Sequence, residues 1–137
     1  MAMFSNAELK HRRPRCPKTI RFGSDFSGID AAAAALKRMG VAHQCVFASD
    51  LLVESQKLLR IVHQPQTVFS DILLRTPDQE APVGLYITTP PCQAFSTAGK
   101  QLGTDGPRQT GALIKKPFQY IRAQRPRVVV FENVPAL

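Results

Sequence analysis

The chain has 137 residues, 44% hydrophobic and 20% charged, which is long enough for one buried core and too apolar for a disordered polymer. No apolar run approaches the roughly 20 residues that span a bilayer, so a membrane-spanning helix is excluded. A net charge of +8 favours polyanionic partners such as DNA or RNA, because cationic side chains displace the counterions condensed on phosphates.

Residues 1–18 read as a basic flexible tail. Its run KHRRPRCPK, Lys10 to Lys18, contains two prolines and neither a helical nor a strand period; a nuclear-targeting or DNA-contacting arm is the sharper alternative. The start MAMFSNAELK lacks the apolar stretch of a secretory signal, so an intracellular protein is expected, nuclear in a eukaryote and cytoplasmic otherwise, with reduced thiols. Cys16, Cys45 and Cys92 form no CxxC pair and His11, His43 and His63 are isolated, so no metal site is expected.

From Thr19 onward short β-rich runs alternate with helical ones, the pattern of βαβ units and a mainly parallel sheet. Strands are predicted at Thr19 to Gly23, Gln44 to Ala48, Thr67 to Phe69, Val83 to Thr88 and Arg127 to Phe131. Helices are predicted near Asp30 to Met39, stopped by Gly40, and around Leu51 to His63, with Leu51, Leu52, Leu58, Leu59 and Val62 as one apolar stripe. A third, near Ala112 to Gln124, is expected to be interrupted or kinked at Pro117, with Lys115, Lys116 and Arg122 on a solvated face.

Each strand is followed almost at once by a turn able to touch a ligand: Ser27-Gly28, Asp50, Asp71, Pro91-Cys92 and Glu132-Asn133. In a parallel sheet all strand C-termini lie along one edge, so these points converge. DFSGIDAAAAAL, Asp25 to Leu36, opens a helix with a glycine turn that lets backbone approach a nucleotide-like ligand. Asp50, 22 positions after Gly28, is placed to accept from both ribose hydroxyls, or to cap the helix that follows; Asp71 could accept from an adenine amino group or serve as a turn residue. Phe26 is a purine contact or a core ring. The turn lacks the three glycines of a pyrophosphate loop, so an adenosine with a small polar attachment, such as S-adenosylmethionine, is favoured over NAD.

Cys92 follows Pro90 and Pro91, two residues without backbone donors, which holds it on a stiff bend. Glu132 follows the apolar strand RVVVF, where a carboxyl is expected to be partly desolvated and to hold a proton near neutral pH. These residues carry a family resemblance. PPCQAFS resembles the catalytic PCQ-x-FS motif of C5-cytosine DNA methyltransferases, ENV at Glu132 to Val134 resembles their ENV motif, and FSGID resembles their F-x-G-x-G cofactor motif; order and spacing also fit from about Thr19 to the last residue.

The resemblance implies an α/β, Rossmann-like methyltransferase fold that uses S-adenosylmethionine, with about five parallel strands, truncated on the C-terminal side. Cys92 thiolate would add to C6 of a cytosine flipped out of DNA while Glu132 contacts N3. Phe26, Ser27, Gly28, Ile29, Asp50, Leu51, Asp71, Ile72 and Pro90 would bind the cofactor. Pro91, Gln93, Ser96, Lys100, Asn133 and Val134 would shape the substrate side, with Gln93 to Lys100 in a mobile loop. Two departures stand out: Asp30 replaces the second glycine, where its carboxylate is expected either to engage the cofactor's ammonium group or to weaken binding, and Asp25 stands one place from the usual acid, which is Ser24 here. Because the resemblance stops at ENV, residues 19–137 are expected to be a partial catalytic domain without its target-recognition region, leaving RVVVF as an apolar edge for a missing half or complementary subunit. The competing expectations are a tRNA cytosine-C5 methyltransferase, which usually has threonine where Ser96 stands, and a non-catalytic binding module.

Overall fold

A computed structural model of the chain describes residues 19–91 and 110–133. The tail at 1–18, and Cys92, Gln93, Ser96, Lys100 and Val134, lie outside the described residues. The elements are β1 (Ile20–Asp25), α1 (Ala31–Arg38), β2 (His43–Ser49), α2 (Val53–Val62), β3 (Thr67–Phe69), a 3-10 turn (Pro77–Gln79), β4 (Leu85–Thr88), α3 (Thr110–Gln124) and β5 (Val128–Phe131). The strands run in the order β3-β2-β1-β4-β5, every pair parallel. The chain winds outward from β1 to β3 and then crosses back to β4, so β1 and β4 flank a topological switch point, where doubly wound sheets place their ligands.

Alternation along β1 sends Phe22 to one face and Gly23 to the other. Phe22 packs with Ala33, Leu36, Cys45, Ala48 and Leu59 under α1 and α2, whereas Phe47, Val46, Val83 and Tyr86 pack with Tyr120 under α3. Cys45 and Phe47 would share a face in a regular strand. They do not, because the register skips a residue: Phe22 pairs with Cys45 and Gly23 with Phe47, which makes Val46 a bulge and turns Phe47 toward α3. The Phe47 ring then occupies the place where a side chain at Gly23 would stand. That ring is fixed by Tyr120 at 5.3 Å, Phe69 at 6.2 Å and Tyr86 at 6.3 Å between centroids. Gly23→Ala is therefore expected to cost about 1–3 kcal/mol through overpacking, read as a fall in the urea midpoint with no change in its slope.

Three sequence expectations need correction. The apolar stripe of α2 is not a core face: Leu59 is fully buried, but Leu51, Leu52, Leu58 and Val62 are exposed. Leu51 and Leu52 precede the helix, and no described element covers the outer flank of α2. Secondly, α3 runs through Pro117 without interruption, with that ring buried. Thirdly, Lys116 does not sit on a solvated face; its Nζ donates to the Arg75 carbonyl at 2.9 Å and ties α3 to the loop after β3.

β5 is an edge strand among the described residues, and Val128, Val129 and Val130 are exposed on both of its faces. No helix among the described residues is long and apolar enough to cross a membrane.

Candidate functional site

The turn after β1 is built on alternating left-handed residues. Phe26, Gly28 and Asp30 have φ of 56°, 53° and 53°. A bulky residue such as phenylalanine rarely adopts that region, at a cost of order 1–3 kcal/mol, so the turn is held from several sides. Ser27 N–H donates to Ser49 O at 2.9 Å, and Ser49 N–H donates to Ser27 Oγ at 3.1 Å. His63, at the end of α2, donates from Nε2 to Ile29 O at 3.0 Å. Ser27's hydroxyl and N–H are both committed to the protein and its carbonyl accepts from Asp30 N–H at 2.7 Å, so this residue holds the turn.

Asp30 has a structural role that the sequence reading did not assign. It is the N-cap of α1, 2% exposed, with Oδ1 accepting from Ala33 N–H at 3.1 Å and Oδ2 from Ser24 Oγ at 3.0 Å. The position demands positive φ, which glycine supplies freely and aspartate tolerates better than most residues. Here the carboxylate turns inward to cap the helix. Burial raises the pKa of this carboxyl, against the hydrogen bonds from Ala33 and Ser24. Both of its oxygens are therefore engaged inside the protein.

Asp50 joins two strand ends. Its Oδ2 accepts from Gly28 N–H at 2.7 Å and its Oδ1 from Leu52 N–H at 2.9 Å, while its own N–H donates to Phe69 O at 3.2 Å. It braces the turn before α2, whose N-cap is Leu52. A carboxylate accepts up to about four hydrogen bonds, so Asp50 retains capacity for ligand hydroxyls. Ile29 and Leu51 beside it are 67% and 72% exposed, apolar surfaces flanking an acceptor, and nothing lies within 4 Å of the space a side chain at Gly28 would fill. This acceptor and surface set fits an adenosine. Asp71 accepts from Leu73 N–H at 2.8 Å in its own turn, and the Ile72 side chain is buried beneath it.

On the other side of β1, Thr89 Oγ1 donates to Phe26 O at 3.2 Å. Pro90 is buried, and its carbonyl accepts from Asn133 Nδ2 at 3.1 Å; Glu132 N–H donates to Thr88 O at 3.1 Å. Three hydrogen-bonded links, Phe69 to Asp50 to Gly28, Phe26 to Thr89, and Pro90 to Asn133, joined by short stretches of chain, thus tie the strand ends along this edge. Of the five expected points of convergence, the described residues place Ser27-Gly28, Asp50, Pro91 and Glu132-Asn133 along this edge, with Asp71 two residues past β3. Cys92 follows Pro91 in the sequence. Glu132 is exposed rather than partly desolvated, since it lies past the end of an edge strand that no described element covers.

The residue reading missed a buried charge cluster directly under the turn. Asp25, 1% exposed, accepts from Arg75 Nη2 at 2.7 Å and from the Tyr86 hydroxyl; Arg75 also pairs with Glu80. Arg75 lies over Phe69 and Phe47, 4.9 and 5.5 Å from their ring centroids. Asp25 is therefore an internal anchor under α3, while Ser24 faces the opposite way toward Asp30. Only the pairing of an acid at a strand end with a lone arginine in the loop after β3 could have hinted at this. The buried Cys45 thiol is pushed up to about 12, by burial first and Asp30 second, which makes it unreactive.

A family model described as C-5 cytosine-specific DNA methylase matches residues 20–137. The orphan methyltransferase M.SPRI of Bacillus phage SPR is 32% identical over 120 residues, spanning 86% of this chain and 27% of that protein. The type II methyltransferase M.NgoBV of Neisseria gonorrhoeae is 29% identical over 122 residues, spanning 86% of this chain and 28% of that one. The chain thus spans just over a quarter of the length of these relatives. The crystal structure of the S. pombe Dnmt2 methyltransferase superposes with a TM-score of 0.61 at 19% identity, over 84% of this chain and 34% of that one, a likeness of fold.

Proposed function

Because the chain belongs to the C-5 cytosine-specific DNA methylase family, we propose that it supplies the cofactor-binding and nucleophile-bearing part of an enzyme that methylates C5 of cytosine in DNA. The observation that carries this reading is the hydrogen-bonded edge that links Asp50 and Gly28 to Phe26, Thr89, Pro90 and Asn133. It supports the reading because it ties the Asp50 acceptor to the Pro90-Pro91 segment that precedes Cys92.

In this proposal Phe26, Gly28, Ile29, Asp50 and Leu51 bind S-adenosylmethionine, with Asp71, Ile72 and Pro90 completing that side and Ser27 holding the turn. The cofactor, when bound, supplies the methyl group. Cys92 adds as thiolate to C6 of an extruded cytosine and Glu132 gives a proton to N3, so C5 becomes nucleophilic; after transfer water takes the C5 proton, the C6–S bond breaks to release Cys92 as thiolate, and N3 returns its proton to Glu132. Pro91, Gln93, Ser96, Lys100, Asn133 and Val134 shape the target side. The exposed valines of β5 and the quarter-length match to the relatives support a further part of the proposal: this edge receives the remaining sheet of the methylase, from a continuing chain or a second subunit. The enzyme acts inside the cell, in the compartment that holds the DNA.

Duplex DNA carrying 5-fluorocytosine, incubated with S-adenosylmethionine and the chain supplied with the remaining part of the methylase, is expected to give a denaturation-resistant adduct that Cys92→Ser abolishes. Unchanged trapping in Cys92→Ser, or trapping on tRNA in preference to DNA, overturns the reading. Binding of S-adenosylmethionine without any adduct, even when the remaining part is supplied, leaves a cofactor-binding module instead of the proposed enzyme part.

A further inference from the structure

We propose that the edge of the sheet opposite the candidate site is a second nucleic-acid surface, where Arg21, Arg122, Arg125 and Arg127 hold the backbone of duplex DNA without reading its sequence. Parallel strands gather their N-terminal ends there. Gly84 N–H donates to Arg21 O and Val128 N–H donates to Gly84 O, both at 3.0 Å, so Arg21 and Arg127 flank Gly84 in one row across three strands. Two inter-strand spacings put them roughly 10 Å apart. Alternation along β1 sends Arg21 to the face of Gly23 and Asp25. Arg127 precedes Val128, whose partner Leu85 packs on the opposite core, so it too belongs to the α3 face.

Arg125 reaches the same corner from the end of α3, and Arg122 stands in the last turn of that helix on its outward side. Arg125 N–H donates to Ile121 O at 3.0 Å, a φ of 47° at Arg125 ends the helix, and Pro126 returns the chain to β5. All four arginines are exposed, and none makes an ion pair among the described residues. The acids on this side are Asp78, on the 3-10 turn that Gln124 holds through Pro77 O at 2.9 Å, and Glu80, which is buried against Arg75.

Helix dipoles account for part of the arrangement, since the last turns of α1, α2 and α3 carry Lys37 with Arg38, Arg60 and Arg122. They do not account for Arg21 or Arg127, which stand at strand starts. Four like charges beside one exposed acid repel unless a polyanion joins them, and guanidinium forks match phosphate oxygens in pairs. The partner favoured is a duplex, not a single strand, because the corner offers no aromatic platform for bases: the exposed ring on α3, Phe118, is stacked on Phe131 at the far end of β5, 5.5 Å between centroids. This surface stands apart from the methyl-transfer reading and does not rest on it.

The test is binding of an alternating dA·dT duplex of about 20 base pairs, which holds no cytosine, across a salt series. The variant Arg21→Gln/Arg122→Gln/Arg125→Gln/Arg127→Gln is expected to lower the magnitude of the log K against log salt slope by about 2–4, near 0.9 per lost phosphate contact. The four Arg→Lys changes together are expected to keep most of the slope, which separates charge loss from misfolding. A matched neutralisation of Lys37, Arg38, Lys57 and Arg60 on the other helices is expected to change it by less than about 1. An equal fall in that control, a fall below about 1 in the arginine variant, or equal binding of single-stranded oligo-dT overturns the proposal. Loss of binding to phosphatidylserine vesicles with no loss on the duplex identifies a membrane surface instead and overturns it too.

Discussion

Arg75→Leu is expected to lower the unfolding free energy by about 3–5 kcal/mol, the range for breaking a buried ion pair by removing one partner. Arg75 is 4% exposed and is the cation shared by Asp25 and Glu80, themselves 1% and 5% exposed. Leucine would leave two carboxylates in a site walled by Phe47, Phe69, Tyr86 and Tyr120, with the Lys116 ammonium too weakly coupled to replace the guanidinium. Arg75→Lys is expected to recover only part of the loss, because an ammonium group cannot reach both acids with a planar fork or lie flat over the Phe69 ring. The triple variant Arg75→Leu/Asp25→Asn/Glu80→Gln should recover more than either, since it removes the uncompensated charge as well as the pair. Urea unfolding reads all three. A loss under about 1 kcal/mol for Arg75→Leu would mean the cluster is solvated and not a core element.

This cluster also marks the boundary of what the residues alone reveal. Strands were legible wherever β-branched runs stood between turn signals: Thr67–Phe69 matches to the residue, and RVVVF lost only its arginine. The partnership of Gly28 and Asp50 was legible as well, because a parallel βαβ unit brings the ends of consecutive strands together, and the 2.7 Å bond between them is its outcome. Asp25 and Arg75 are 50 residues apart and joined by no period, so only the folded sheet brings them together. Periodicity likewise identified the side of α2 that could be buried without saying whether anything covers it. At Asp30 the motif comparison registered a lost glycine and an added charge. The backbone needed two things there, a positive φ and a cap acceptor, and aspartate meets both. Glu132 was expected to be desolvated from the apolar strand before it, but burial depends on the neighbour of β5, which the described residues do not contain.

Raising the pH from about 5 to about 8 is expected to remove about 2–3 kcal/mol of stability through Glu80 alone. Burial pushes this carboxyl from 4.5 up to about 7; Arg75 opposes the rise, Asp25 adds to it, and Lys116 opposes it weakly. The folded chain therefore binds the proton more tightly than the unfolded chain does. The stabilisation is complete below the unfolded value near 4.5 and is lost as pH passes through about 7. Charge counting gives the same sign. With Glu80 neutral, Arg75 and Asp25 cancel; with Glu80 ionised, the core holds one negative charge too many, and Glu80 Oε2 and Asp25 Oδ1 have no partner among the described residues. Glu80→Gln keeps an uncharged acceptor at this position and is expected to flatten the urea midpoint between these pH values. A variant that kept the full dependence would assign it to another group. The two predictions are linked, because Arg75→Leu exposes the core to both carboxylates only when Glu80 is ionised: its cost should be smaller near pH 5 than near pH 8, and in the Glu80→Gln background the two costs should converge.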